Sequence, residues 1–318
     1  MNPSASHTQP VETTAQLGQE TRSRTVLSLA ARRYLVALFL ITPAVAIRLF
    51  TSVYPFFQTA YFSLFDYNPA FPPRRFIGLE NFVRISKDIV VRESIWFTLM
   101  FVLVSTLFQV ALGLLIATLL NSQFRLRKVA RTINLIPWAI PMVVAAIGFR
   151  WMFDDQYGII NDLLYRAFHL KFAWLINFWG ARAAVTATNI WKSTPFLAVV
   201  FLAGLQGVPP ELYEAARVDG ANRLQSFWYI TIPMVLPLAT TMGMFMVVWQ
   251  LALFDLIYAM TGGGPGFATT VLAYKIFQEA FTALNFGYAS AIGMVLFLVV
   301  FIVGGIGLLI FRRVEVSM

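Results

Sequence analysis

Cysteine is absent from all 318 residues. Its absence excludes disulfides, thiolate nucleophiles and cysteine-bound metal. Histidine is almost as scarce, with His7 and His169 isolated from one another. No carboxylate cluster shows metal-ligand spacing, and the adjacent Asp154 and Asp155 lack the i,i+4 step that puts two ligands on one helical face. No metal site and no cofactor site is expected. The chain also lacks any Gly-x-x-x-x-Gly-Lys followed by Ser or Thr, so it should not hydrolyse ATP unaided.

Charge is the other scarcity. Asp, Glu, Lys and Arg make up 12% of the chain, about half of what a soluble domain carries. Hydrophobic residues reach 58%, with 30 Phe, and mean hydropathy is +0.71. A soluble globule has too little interior to hide that much apolar surface. The net charge of +9 comes from short clusters at the ends of apolar runs. This distribution suits contact with anionic lipid headgroups better than tracking a nucleic-acid backbone, so no nucleic-acid partner is expected.

What is present is apolar length. Windows of about 20 residues, the length a helix needs to cross a bilayer, fall at 34–56, 95–120, 132–153, 183–206, 233–258 and 289–311. An all-α polytopic membrane protein with six transmembrane helices is therefore predicted. Residues 1–30 are polar and lack an apolar core followed by a small-residue cleavage site, and read as a flexible cytoplasmic tail; residues 31–318 form the membrane domain. Arg48 inside the first window must snorkel, pair, or face protein or water. Pro137 and Pro141 predict a kink in the third window.

Cations are nearly balanced between the alternate connections, but their placement is not. Arg125, Arg127, Lys128 and Arg131 crowd one short connection, and Arg312 and Arg313 follow the last window directly. Short flanks carry most weight in topology, which puts both termini in the cytoplasm.

That topology also puts the stretch VPPELYEAARVDGANRLQSFWYITIP, within residues 208–233, inside the cell. Pro209 and Pro210 suit a helix start, and Glu211 and Glu214 complement its N-terminal field. The first short helix is predicted over 211–219, with Gly220 as its break and a second helix starting near Ala221, carrying Leu224, Phe227 and Trp228 as an apolar patch. By amphipathicity alone this block is either an element lying on headgroups or a knob that docks on a partner.

The residues Glu214-Ala215-Ala216, Gly220, Ile230, Ile232 and Pro233 give the spacing by which the block resembles the EAA loop of ABC importer permease subunits, with Ile232 where leucine is usual. Two further stretches, WMFDDQYGIINDLL from Trp151 and YAMTGGGPGFATTVLAYKIFQEAF from Tyr258, resemble the sugar-permease branch of maltose, glycerol-phosphate and lactose importers. The resemblance implies the type I importer permease fold in a prokaryotic plasma (inner) membrane, with residues 208–232 as the coupling loop. It implies that Glu214, Ala215, Ala216, Asp219, Gly220 and Leu224 meet a separate ATPase. It further implies a second homologous permease, two ATPase subunits that bind ATP and Mg, an extracytoplasmic sugar-binding protein, and a carbohydrate substrate.

Two polar patches interrupt the windows: Asn189, Trp191 and Lys192 before Pro195, and Trp249, Gln250 and Asp255. Tryptophan can stack on a pyranose, and the amides, ammonium and carboxylate can bond hydroxyls, so these six residues are candidates for a translocation path. They serve equally as packing or gating groups between helices, and a Lys192–Asp255 pair is one such arrangement. A non-transporting scaffold or receptor subunit would also explain the spans, and an ion-coupled secondary transporter would require internal repeats that the sequence does not show.

Overall fold

The structure is a computed structural model describing residues 29–316, with side chains from 32 to 309. The predicted tail lies almost wholly outside the described residues, as do the side chains of Arg312 and Arg313. The chain divides into two units, Met1–Pro55 and Phe56–Met318.

In the first unit, helix α1 (Leu29–Arg48) runs into a π-helical turn, Leu49–Val53. Arg48 donates from Nη1 to the Ser52 hydroxyl at 3.4 Å, one turn along its own helix. Helical geometry persists through α2 (Tyr54–Phe62), so the first apolar helix extends to Phe62, six residues beyond the expected end.

The second unit opens with a two-residue antiparallel ladder, β1 (Phe65–Asp66) against β2 (Arg75–Phe76), and a short amphipathic helix, α3 (Glu80–Lys87). Neither element is legible as an apolar window. The long helix α4 (Ile89–Asn121) packs lengthwise on α8 (Phe178–Gln206). Gly113 allows their close approach, since a Cβ there would stand 3.0 Å from Leu197 Cβ. Phe97, Phe101, Val185 and Leu197 are fully buried along this seam.

The third window is not one kinked helix. It consists of α5 (Arg127–Ala139) and α6 (Met142–Met152), at 91° to one another. Ile140 and Pro141 are extended, and two prolines four residues apart remove consecutive rungs of the hydrogen-bond ladder. Helix α7 (Ile159–Phe168) follows, outside the apolar windows.

After α8 come α9 (Pro210–Val218) and α10 (Arg223–Ser226). A π turn, Phe227–Thr231, joins α10 to α11 (Ile232–Leu251). The fifth window then breaks: α11 stops at Leu251 and Asp255 begins a separate helix, α12 (Asp255–Met260). Gln250 and Asp255 therefore do not share a helix, contrary to the single span expected. Short α13 (Leu272–Phe277), a π turn at Gln278–Thr282, and α14 (Phe286–Val316) complete the unit. Among the described residues four helices are long and apolar enough to cross a membrane, and the count reaches six if each bent pair is one span.

Asp88 locks one end of this arrangement. Its Oδ1 accepts from the amides of Val90 and Val91 at 2.8 and 3.2 Å, capping α4, and its Oδ2 accepts from the Tyr288 hydroxyl on α14 at 2.8 Å. Burial opposes ionisation, but the Tyr288 hydroxyl and the two amides outweigh it and hold the carboxyl below its ordinary range. A depressed folded value means that the stabilisation is present above the unfolded value and is lost as pH falls through the folded one. The thermal midpoint should therefore drop as pH is lowered below about 4. Asp88→Asn keeps a capping oxygen but not the charge, so it should melt lower at neutral pH, with the gap to wild type closing on acidification. A gap independent of pH would contradict this assignment.

Candidate functional site

Two regions concentrate the predicted site residues. The first is the polar interior where α4, α8 and α11 meet. Asn189 and Gln250 are 0% and 2% exposed and are brought together, the Asn189 Nδ2 donating to Gln250 Oε1. Gln250 Nε2 in turn donates to the Thr106 hydroxyl at 2.9 Å, to Gln109 Oε1 at 3.2 Å and to the Met246 carbonyl at 3.1 Å. Gln109 Nε2 reaches the Asn189 carbonyl at 3.2 Å. Thr106 and Gln109 were not among the sequence candidates. Their signal was a pair of polar residues three apart, on one face of an otherwise apolar helix. Asn189 Oδ1 is buried with no hydrogen-bond partner.

Lys192 does not join this cluster. Its Nζ donates to the Trp138 carbonyl at 2.7 Å. That carbonyl lies next to the Ile140–Pro141 break, where the helix cannot supply its usual i+4 amide. An ammonium at a helix C-terminus also complements the local field. Asn134 makes a parallel link, donating from Nδ2 to the Pro195 carbonyl at 3.3 Å. Among the described residues Lys192 and Asp255 form no ion pair within 4.0 Å; the half-buried Asp255 accepts from its neighbour's amide, Leu256 N, at 3.1 Å. Both tryptophans are exposed: Trp191 meets Phe149 edge-on at 4.9 Å and Trp249 stacks on Phe245 at 5.9 Å.

Arg182, in the second turn of α8, is 3% exposed. Its Nε donates to the Ala268 carbonyl at 2.7 Å, its Nη2 lies 3.5 Å from Glu93 Oε2, and its guanidinium sits 4.2 Å from the Phe178 ring centroid and 4.9 Å from that of Phe97. The residue pins the glycine-rich turn to α4 and α8. Within that turn the Thr269 hydroxyl donates to the Gly264 carbonyl at 2.8 Å, and Thr270 to that of Gly263 at 3.1 Å.

The second region is the block after α8. Helix α9 turns 72° away from α8 and carries Glu214 and Ala215 exposed, with Ala216 half-buried. Gly220 breaks the helix at φ +81°, a left-handed conformation that costs glycine little. Asp219 caps α9 while Asn222 opens α10 through a reciprocal capping box with Gln225, so the two helices are separate. An i,i+4 bridge from Asp219 to Arg223 accordingly does not form. Leu224 and Trp228 are 66% and 58% exposed, an apolar patch on the surface. The Tyr213 hydroxyl lies 3.1 Å from the Thr231 hydroxyl and ties α9 to the foot of α11.

A family model described as "Binding-protein-dependent transport system inner membrane component" matches residues 109–316, a stretch holding the block after α8 and, apart from Thr106, the Gln250 cluster. The chain belongs to that family. This permease is 38% identical over 264 residues to the sulfoquinovosyl glycerol transport system permease protein SmoG of Agrobacterium fabrum, covering 83% of this chain and 86% of SmoG. It is 34% identical over 261 residues to the trehalose/maltose transport system permease protein MalF of Thermococcus litoralis, covering 82% and 88%. In fold it is similar to a chain of the bacterial alginate ABC transporter solved with an alginate-bound periplasmic protein, with a TM-score of 0.78 at 23% identity, covering 89% of this chain and 96% of that one. The fold is the all-α type I ABC importer permease fold. The protein is a non-catalytic, multi-pass permease of the plasma (inner) membrane, in the carbohydrate branch of ABC importers.

The Gln250 cluster yields a test of how the interior polar groups work. Gln250→Leu leaves Asn189, Gln109 and Thr106 short of partners and should cost about 1–3 kcal/mol in stability of the purified permease. Gln250→Glu, which keeps the shape and acceptors, should cost less at acidic pH, where it can carry a proton. Thermal melting of the three proteins checks this, and a Leu variant as stable as wild type would refute the cluster's cohesive role.

Proposed function

We propose that this permease forms half of the translocation path of an ATP-driven importer of di- or oligosaccharides, with α9 as the element through which a separate ATPase drives it. The assembly we infer has a second homologous permease, two ATPase subunits that bind ATP and Mg, and an extracytoplasmic sugar-binding protein. Both termini lie in the cytoplasm in this reading. Support for the carbohydrate class comes from the relatives, one named for a sulfoquinovosyl glycerol and one for trehalose and maltose.

The observation that carries the coupling role is the exposed EAA helix and its fixed attachment to a span. Glu214 and Ala215 face outward, so a partner's groove can receive α9. Asp219, Gly220 and Leu224 complete the contact surface. Force on α9 has two routes into α11: the Tyr213–Thr231 contact, and the chain itself, which runs helical from Arg223 to Leu251 without interruption. The π turn at Phe227–Thr231 accommodates Pro233, which cannot donate to the turn before it. A stiff rod attached to a docked knob transmits displacement, whereas a flexible loop would absorb it.

For the path, Asn189, Lys192 and Gln250 serve chiefly as the wall, because their donors are already engaged. Trp191 and Asp255 retain surface for a sugar, an exposed indole in one and a half-buried carboxylate in the other, and Trp249 is exposed near the end of α11. No covalent change to the solute is involved. ATP binding and hydrolysis act by changing the relative stability of two helix packings.

Reconstituted with its neighbouring subunits, the assembly should show ATPase activity stimulated by a disaccharide-loaded binding protein. Glu214→Lys or Gly220→Val should lower uptake roughly tenfold or more, the scale of a lost anchor at an interface, with membrane insertion intact. Uptake that persists without the ATPase subunits would contradict the reading.

A further inference from the structure

The last turn of α4, the start of α5 and the α8–α9 junction enclose an open cleft of about 420 Å³. Its lining includes Asn121, Gln123, Arg127, Arg131, Pro210 and Tyr213, and no Asp or Glu among the described residues. Arg131 is fixed in place: its Nη2 donates to the Leu120 carbonyl at 3.0 Å, one of the last carbonyls of α4. Its Nε is buried and has no hydrogen-bond partner. A guanidinium is charged at every relevant pH, and a buried N–H on it that lacks an acceptor is costly. Arg127 is exposed at the rim, and the amides of Asn121 and Gln123 offer further donors. These donors match an anion with several acceptor oxygens.

We propose that this cleft binds a phosphate group, and that in the cell the group is the headgroup phosphate of an acidic phospholipid of the inner leaflet. A tetrahedral phosphate can accept from the Arg131 guanidinium and from Arg127 together, which a carboxylate-free pocket favours. Depth favours the lipid source. The cleft lies where the apolar helices α4 and α8 end, beside Leu126 and Val129, which are 66% and 52% exposed. Arginines at that level meet headgroups, and acidic ones in particular. Pro210 places the first turn of α9 on the same cleft, so occupancy bears on α9's position. That consequence for ATPase activity rests on α9 being the coupling element; the binding itself does not.

The experiment uses the complete assembly in nanodiscs of phosphatidylcholine, with and without phosphatidylglycerol, read by native mass spectrometry for retained lipid and separately by ATPase rate. Wild type should retain phosphatidylglycerol roughly tenfold more strongly than Arg131→Gln, the loss expected for a charge-assisted contact. Arg131→Lys should bind more weakly than wild type, because an ammonium cannot present the planar fork that donates to the Leu120 carbonyl and to a phosphate in the cleft at once. Arg127→Gln, at an exposed rim residue, provides a second weakened variant if Arg131→Gln is poorly folded. Arg125→Gln removes the same charge outside the cleft and should behave as wild type. Millimolar inorganic phosphate added to phosphatidylcholine discs tells the sources apart: Arg131-dependent ATPase stimulation there supports the site with free phosphate as its occupant. Equal lipid retention and equal phosphate response in wild type and both cleft variants overturns the proposal. An Arg125→Gln loss as large as that of Arg131→Gln overturns it in favour of diffuse charge. Dissociation of the ATPase subunits from Arg131→Gln overturns it in favour of a protein carboxylate as the arginine's partner. If lipid retention follows Arg131 but the ATPase rate does not, the site stands and the coupling role of α9 fails.

Discussion

A backbone carbonyl that loses its helical amide inside hydrocarbon has no water to turn to, and this constraint governs how the permease can bend. The Lys192 ammonium on the Trp138 carbonyl is its clearest expression: one helix breaks at 91°, and a cation from another helix seals the break. Other cross-element contacts to carbonyls are those of Asn134 with Pro195, Gln109 with Asn189, and Arg182 with Ala268. Each contact is a polar side chain from one element satisfying a carbonyl of another, and most of these carbonyls lie near a proline or the end of a helix.

This arrangement holds bent elements in fixed places while leaving the contacts exchangeable. A transporter must repack its helices between two states, and hydrogen bonds can swap partners across a small shift where interlocked apolar side chains cannot. In the proposed coupling element the requirement is the reverse. There the Tyr213–Thr231 contact ties α9 to the foot of α11, and helix is continuous from Arg223 to Leu251, so a push on α9 reaches the interior with little slack. Arg131 sits between these regimes, tied to the end of α4 and lining the cleft beside α9.

Much of this was legible in the sequence because the bilayer imposes so simple a length rule. The apolar runs located every long helix, and Gly220, Pro209 and Pro210 located the limits of α9. What the sequence could not carry was the outcome of competition at the breaks. Pro137 and Pro141 announced a disturbance, but whether two prolines kink a helix or split it depends on whether a neighbour such as Lys192 can bond the freed carbonyl. For the same reason Asp255 read as part of the fifth span, although the chain leaves α11 at Leu251. Short polar elements such as α3 and the β1–β2 ladder bury little apolar surface of their own and left no periodic trace. Thr106 and Gln109 were hidden by the apolar residues around them, and Arg182 by its place at the beginning of a helix, where a cation is ordinarily solvated.

The most direct test of the sealing contact uses the chain's lack of cysteine. Spin labels on Ile133→Cys in α5 and Val144→Cys in α6, both 58% exposed, report the angle across the break in the reconstituted assembly. With Lys192 present the distance distribution should be narrow. In the Lys192→Met background it should broaden or move, because the Trp138 carbonyl must find another partner. A distribution that is unchanged by the loss of the ammonium would show that the bend does not depend on it, and would contradict this account.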